Sequence, residues 1–168
     1  ACNLSCTFCR DYEQPGARKV GLEQLDSVAA QLFPTARRVN ICSGGEPYLH
    51  PGLEHLLRLA RRHGCHTWVL SNGMLLERER LTRIRDEQLI SEHGFSVDGL
   101  RPETVEAIRT GAHLPTLLGK IDMLLELRAR RGGGPPAVVI RYALMRRNLD
   151  ELPDAVRYWG ERGVQRLD

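Results

Sequence analysis

The sequence predicts an α/β fold, a partial (β/α) TIM-like barrel with parallel strands. Two observations support this fold class. Short apolar runs rich in β-branched residues alternate along the chain with segments whose apolar residues recur at helical spacing. The strands follow one another at roughly 30-residue spacing, the length of a strand, a helix and a second parallel strand. The 168 residues fall short of the about 250 that a closed eight-fold barrel usually needs. The chain is therefore an open α/β sheet, a partial barrel or a piece of something longer, and we favour the last two together.

Each element has its own local signal. Pro34 ends the first helix, and Gly64 is placed to cap the second. The clearest strand begins at Ala137, because the run that follows is rich in β-branched residues. Asn148 and Glu151 are spaced like a capping box at the start of the last helix. The predicted strands cover residues 39–42, 66–70, 137–144 and 164–167, with one more that ends at 95–99, and the predicted helices cover 22–32, 51–63, 77–85, 102–109, 115–131 and 149–162.

Composition and charge exclude several classes of protein. The net charge is only +3, and the arginines recur at predicted helix ends, where they complement the helix dipole. They do not alternate with aromatic residues in a stripe, so we do not expect a nucleic-acid partner. No apolar run approaches the roughly 18 to 20 residues of a membrane span, and no secretory signal is visible. We therefore expect a cytoplasmic protein without a membrane partner.

Three cysteines fall within eight residues, in a C-x3-C-x2-C loop formed by Cys2, Cys6 and Cys9. Three thiols cannot pair fully into disulfides, whereas three thiolates can converge on one soft metal centre. A structural zinc site takes four ligands, and His50 or His66 is a candidate for the fourth. An iron–sulfur cluster ordinarily takes four cysteines, so three would leave one iron open for chemistry. The two cysteines that we expect to be buried and free are Cys42 and Cys65.

Polar or glycine-rich loops follow the predicted strands, and parallel strands place such loops along one edge of the sheet. The residues in them suit a small zwitterionic nucleoside. Gly44 and Gly45 permit close backbone approach, and Glu46 can accept a hydrogen bond from an ammonium group. Arg109 can donate two parallel hydrogen bonds to a carboxylate. Each of these motifs alone is also typical of an ordinary turn or helix end. The side chains that can reach ribose hydroxyls are Asn72, Ser96 and Asp98.

Together these residues resemble the radical S-adenosylmethionine (SAM) superfamily. The likeness rests on the three-cysteine loop, with aromatic Phe8 before its last cysteine, and on Gly-Gly-Glu-Pro at 44–47. The runs at 96–99 and 148–152 are similar to the branch that often carries a C-terminal SPASM or twitch domain. Members of the superfamily have a strand before the first cysteine and a sixth strand after the fifth. The resemblance therefore implies that residues 1–168 are one partial radical SAM core domain, truncated at both ends and lacking the first strand and the sixth strand onward.

The resemblance also implies the cofactors. Cys2, Cys6 and Cys9 would hold a [4Fe–4S] cluster whose open iron chelates SAM. An electron from the cluster would cleave SAM to methionine and a 5′-deoxyadenosyl radical, which abstracts a substrate hydrogen. The residues implied in SAM binding are Phe8 near the adenine, Gly44, Gly45 and Glu46 at the methionine amino group, Ser96 and Arg109 at the ribose or carboxylate end, and Asn72 and Asp98 beside them.

The implied partners are SAM, a reductant protein such as a flavodoxin or ferredoxin, and a peptide or cofactor precursor as substrate. No residue is identified as a catalytic acid or base. Two other interpretations of the cysteines stay open at this point. One is a non-enzymatic iron–sulfur electron-transfer module, which gives no reason for the polar loops. The other is a structural zinc-binding α/β domain, which would contain no iron.

Overall fold

The computed structural model describes residues 1–9, 20–41 and 44–168. Cys42 and Ser43, at the end of a predicted strand, lie outside this part of the chain. The strands of the described residues are β1 (Ser5–Cys6), β2 (Arg38–Ile41), β3 (His66–Ser71), β4 (Glu92–Ser96), β5 (Arg109–Thr110), β6 (Ala137–Arg141) and β7 (Arg166–Leu167). Their helices are α1 (Leu22–Leu32), α2 (Leu53–Arg62), α3 (Arg78–Asp86), α4 (Pro102–Ile108), α5 (Leu114–Ala129) and α6 (Leu152–Glu161), with short 3-10 helices at Pro47–Leu49 and Leu149–Glu151.

Five strands of the described residues form one parallel sheet in the order β2-β3-β4-β6-β7. All five are strands that the sequence predicts, so the expected α/β fold with parallel strands is confirmed. The register places Trp68 of β3 opposite Glu92 of β4, and Gly94 opposite Val139 of β6. Parallel strands direct their carboxyl ends to the same edge, and the loops that follow β2, β3 and β4 gather there.

A second, two-stranded sheet was not predicted. Here β1 pairs antiparallel with β5, which sets Ser5 opposite Thr110 and Cys6 opposite Arg109. Two-residue strands have no periodicity to read, because alternation needs a longer run. This small pairing joins the cysteine loop to the chain that follows α4.

The helices cover one face of the parallel sheet. Alternate strand residues, among them Val69, Phe95 and Val138, point into a core in which they are fully buried. Leu57 of α2 and Leu117 of α5 meet them there, also fully buried. We call this side the helix face. The residues between them along each strand point to the opposite side, which we call the inner face, because successive side chains of a strand alternate.

The predicted capping box at the last helix is wrong. Asn148 makes no side-chain cap, and a 3-10 turn precedes α6. The Asn148 side chain is fully buried, and its Nδ2 donates to the carbonyls of Asp98 and Ala143, both at 3.0 Å. The Glu151 carboxylate accepts from the Leu100 backbone N–H at 2.6 Å. Both side chains therefore connect the loop after β4 to the chain after β6 through hydrogen bonds. They are not available to cap the N-terminus of α6. Among the described residues, no helix combines the length and apolarity needed to cross a membrane.

Candidate active site

A cavity of about 150 Å³ lies where the cysteine loop meets the carboxyl ends of β3 and β4. All the predicted site residues except Asp98 line it. These are Cys2, Cys6, Phe8, Cys9, Gly44, Gly45, Glu46, Asn72, Ser96 and Arg109. Three further residues line the cavity without having been predicted as site residues, namely Leu4, Leu70 and Ser71. The alternation of β3 is a sequence signal for Leu70, since that strand ends directly before Asn72.

Two of the three thiols receive side-chain hydrogen bonds, each from a different residue. Asn72 Nδ2 donates to Cys2 Sγ at 3.6 Å, and Arg109 Nη1 donates to Cys6 Sγ at 3.8 Å. Burial raises the pKa of the Cys6 thiol, while the Arg109 charge acts in the opposite direction. The nearby Cys2 and Cys9 also raise the pKa of Cys6, because adjacent thiolates repel one another. A positive metal centre would offset this repulsion and favour the thiolate form of Cys6.

The donor set fits an iron–sulfur cluster. Within the described ranges, no three His, Cys, Asp or Glu side chains are grouped so as to hold a metal ion. A multi-iron cluster takes one cysteine per iron rather than three on one atom, and three thiols lining a common cavity supply such ligands. The histidines considered as a fourth zinc ligand are elsewhere: His50 accepts from the Gly52 N–H, and His66 pairs with Glu92.

The turn after β2 is fixed by the chain itself. Glu46 is buried, and its carboxylate accepts from Ser71 Oγ at 2.8 Å, from the Asn72 N–H at 2.8 Å and from the Tyr48 N–H at 3.1 Å. Burial raises the pKa of Glu46, and these three donors partly offset that rise. A ligand ammonium beside this carboxylate would stabilise its charged form further.

The two glycines of this turn differ. The backbone N–H of Glu46 donates to the Ala1 carbonyl at 2.9 Å. A Cβ on Gly45 would lie 2.1 Å from that same oxygen, so a side chain cannot be present there. Gly44 has a φ of +79°, and a Cβ there would meet nothing within 4 Å. Gly45 therefore permits close approach of the Ala1 backbone, whereas Gly44 borders open space.

Arg109 is held from behind by Asp98. Its Nε lies 2.7 Å from Asp98 Oδ2, an ion pair in which the N–H does not point at the oxygen. Asp98 is fully buried, and its Oδ1 accepts from the Ala143 N–H at 2.8 Å. The Arg109 guanidinium lies 5.3 Å from the centre of the Phe8 ring, whose residue is about half exposed (48%). Asp98 thus lies behind the arginine instead of in the cavity wall.

The whole chain was compared with known proteins. A family model described as the radical SAM superfamily matches residues 1–158. A tungsten-containing aldehyde ferredoxin oxidoreductase cofactor-modifying protein from Pyrococcus furiosus is 27% identical over 99% of this chain and 47% of its own length. A PqqA peptide cyclase from Ruegeria pomeroyi is 28% identical over 99% of this chain and 43% of its own length. The chain therefore spans about half the length of these relatives.

Among solved structures, that of Streptococcus suis SuiB bound to precursor peptide SuiA has a TM-score of 0.80 at 16% identity, covering 99% of this chain and 36% of that one. SuiB has also been solved bound to S-adenosylmethionine. Such a likeness shows the fold, a partial TIM barrel.

Because the family model covers most of its length, the chain belongs to the radical SAM superfamily. The resemblance inferred from its motifs is confirmed, together with the [4Fe–4S] cluster and SAM as the cofactors of this class of enzyme. The zinc-binding and electron-transfer interpretations are not favoured.

Proposed function

We propose that this chain binds SAM on a [4Fe–4S] cluster and directs the resulting radical to a hydrogen atom of a peptide or cofactor precursor. The observation that supports this function is one shared cavity, in which the three cysteines, the glycine-rich turn and Arg109 all take part. When bound, the reduced cluster supplies one electron that breaks the sulfur–C5′ bond of SAM, releasing methionine and a 5′-deoxyadenosyl radical.

The residues around the cavity divide into those that hold the cluster and those that hold SAM. Cys2, Cys6 and Cys9 are the iron ligands. The turn containing Glu46 binds the methionine ammonium, since Glu46 lines this cavity and carries a buried carboxylate. Arg109, presented by Asp98, binds the carboxylate or ribose end, as an arginine donates a planar fork.

Three further side chains complete the SAM site. Phe8 is half exposed at the cavity wall and offers its ring to the adenine. Ser96 lies at the end of β4 and Asn72 follows β3, so both can reach ribose hydroxyls. Asp98 acts on SAM through Arg109, because its own carboxylate is fully buried behind that arginine.

The cluster needs an electron donor, and we assign that part to a reductant protein such as a flavodoxin or ferredoxin. The described cysteines are free, which suits the reducing conditions of the cytoplasm. The relatives named above are a peptide cyclase and a cofactor-modifying protein, and SuiB was solved with a precursor peptide. These names support a peptide or cofactor precursor as the substrate, with no membrane or nucleic acid involved.

The test uses the full-length gene product, reconstituted anaerobically with iron and sulfide, reduced and given SAM. We expect mass spectrometry to detect 5′-deoxyadenosine from the wild type and none from Cys6→Ala. Cys65→Ala is the matched control, because Cys65 is equally buried but contacts the Phe33 and Ala36 carbonyls far from the cavity. We expect this control to retain iron and to cleave SAM.

Two results would contradict the proposal. Zinc instead of iron in the wild-type protein would support the structural zinc domain. An intact cluster that leaves SAM unchanged under reducing conditions would support the electron-transfer module.

A further inference from the structure

A charged cluster lies on the inner face of the sheet, apart from the residues that hold SAM. It consists of Arg38, His66, Glu92 and Arg166, and we call it the inner-face cluster. Glu92 Oε1 lies 2.8 Å from His66 Nε2, and Glu92 Oε2 lies 2.8 Å from Arg166 Nη2 and 3.7 Å from Arg38 Nη2. The Glu92 carboxylate of β4 therefore contacts two guanidinium groups and an imidazole from three other strands of the sheet, β2, β3 and β7.

The carboxylate is covered while its partners are not. The Glu92 side chain is 14% exposed, whereas those of Arg38 and Arg166 are 47% and 45% exposed. Arg141 lies close by through Asp168, which pairs with Arg141 at 3.1 Å and with Arg166 at 2.7 Å. Three guanidinium groups thus face two carboxylates, and each guanidinium has N–H groups left over. The surface is net positive, and Glu92 orients its arginines without saturating them.

This cluster lies on the same face of β4 as the cavity that we propose binds SAM, which we call the SAM cavity. Glu92, Gly94 and Ser96 alternate along β4, so all three face inward, and Ser96 lines the cavity. Four residue-to-residue steps along β4 separate Glu92 from Ser96 by about 13 Å. The ring of Trp68 lies across Gly94, where an added Cβ would come within 2.5 Å of it. Trp68 is itself buried, so its ring packs beneath the stretch of inner face that joins the cavity to the cluster.

We propose that the inner-face cluster binds an anionic group of the substrate, a carboxylate or a phosphate, while the adjoining part of the substrate extends along the inner face of β4 to the SAM cavity at Ser96. Guanidinium groups bind both anions through paired hydrogen bonds, and Arg166 also lies 5.7 Å from the centre of the Trp68 ring. This inference identifies the substrate as an anionic molecule. It rests on the proposed function, which supplies the radical that reacts with the part of the substrate near Ser96.

Binding of small anions to the full-length gene product tests the inference without the substrate. Isothermal titration calorimetry at constant ionic strength would compare glutarate and pyrophosphate with glutaramide, a neutral analogue of glutarate. We expect the two anions to bind and the neutral amide not to bind. The preferred anion then distinguishes a carboxylate substrate from a phosphorylated one.

Arginine variants locate the binding. We expect Arg166→Gln to weaken anion binding by about tenfold, the effect of losing one charge-assisted hydrogen bond. Arg38→Gln should weaken it as well and serves if Arg166→Gln fails to fold, as judged by its thermal unfolding. The matched control is Arg157→Gln on α6, whose arginine pairs only with exposed Asp154 among the interactions of the described residues. We expect this control to bind the anions as the wild type does.

Two outcomes would overturn the inference. Neither anion binding would show that the inner-face cluster is an internal ion-pair network. Equal affinities in Arg166→Gln, Arg38→Gln and Arg157→Gln would show binding elsewhere. Iron content and SAM cleavage, measured on the same samples, report separately on the proposed function. Anion binding by a protein that does not cleave SAM would support the inner-face site while contradicting the radical chemistry.

Discussion

The two faces of the parallel sheet differ in almost every physical respect. On the helix face, Phe95 and Val138 are fully buried among apolar side chains. On the inner face, β4 presents Ser96 at the cavity beside the three cysteines and Glu92 in the charged cluster. Adjacent residues of β4 therefore have different roles, since one stabilises the core and the next lines a binding surface. Whether a substitution in β4 lowers stability or weakens binding should therefore depend on the face to which the side chain points.

The largest effect is expected on the helix face. Phe95→Ala removes a fully buried ring from the core, and we expect the free energy of unfolding to fall by about 3 to 5 kcal/mol. Its neighbour Ser96→Ala should change that free energy by less than about 1 kcal/mol and weaken SAM binding instead. Denaturant unfolding and SAM titration on both variants check this contrast. Equal losses of stability in the two would contradict the division between faces.

The next effect concerns the ion pair behind the cavity. Asp98→Asn keeps the shape of the side chain but leaves the Arg109 guanidinium, only 10% exposed, without its counter-charge. We expect a loss of about 3 kcal/mol in unfolding free energy, because an unpaired buried charge is costly. Loss of orientation at Arg109 should also weaken SAM binding. Chemical denaturation of the reconstituted protein measures the first effect. Asp150→Asn is the control, since the Asp150 carboxylate is exposed beside Arg101. A similar loss of unfolding free energy in this control would contradict the role assigned to Asp98.

A smaller effect separates the two glycines of the turn. Gly45→Ala places a Cβ against the Ala1 carbonyl, so backbone must shift, at a cost of about 2 kcal/mol. Gly44→Ala meets open space and bears only the strain of a positive φ, about 1 kcal/mol. We also expect Gly45→Ala to incorporate less iron, because Ala1 precedes the first cluster ligand. Iron analysis and unfolding of both variants measure the difference, and identical behaviour would contradict it.

The smallest effect at neutral pH concerns His93 on the helix face. This residue is fully buried, contacts Tyr48 Oη at 2.8 Å through Nε2, and has a pKa lowered by burial to about 3. Between about pH 6.5 and pH 3 the unfolded chain takes up a proton that the folded chain excludes. Stability should therefore fall as the pH falls through this range, with His93 contributing up to about 1.4 kcal/mol per pH unit.

His93→Gln isolates that contribution. Glutamine can hydrogen-bond Tyr48 in either direction but does not titrate, so we expect a flatter stability profile below about pH 6.5 and little change at pH 7. Guanidinium unfolding at a series of pH values makes the measurement. His66→Gln is the control, because His66 is exposed on the inner face. If both variants follow the wild-type profile, His93 is not excluded from protonation as the structure indicates.

The sequence predicts the parallel strands and the polar loops that follow them. It predicts less well the long-range contacts between those loops. All five parallel strands are recovered, because each is a continuous apolar or alternating run between turn residues. The pairing of Cys6 with Arg109 is missed, since two residues have no period. The burial of Asp98 behind Arg109 depends on residues far apart in the chain, including Ala143. Local patterns therefore identify most of the cavity lining, and long-range packing determines which of those side chains face the ligand.

The proposed radical chemistry depends most on a cluster that is held by the three cysteines and open to SAM. The most direct measurement is the electron paramagnetic resonance spectrum of the reduced, reconstituted full-length protein with and without SAM, beside the iron content of Cys6→Ala. We predict that SAM shifts the signal and that Cys6→Ala holds about four irons fewer than the wild type. A spectrum that SAM leaves unchanged, or an iron content that the substitution leaves unchanged, would contradict the account.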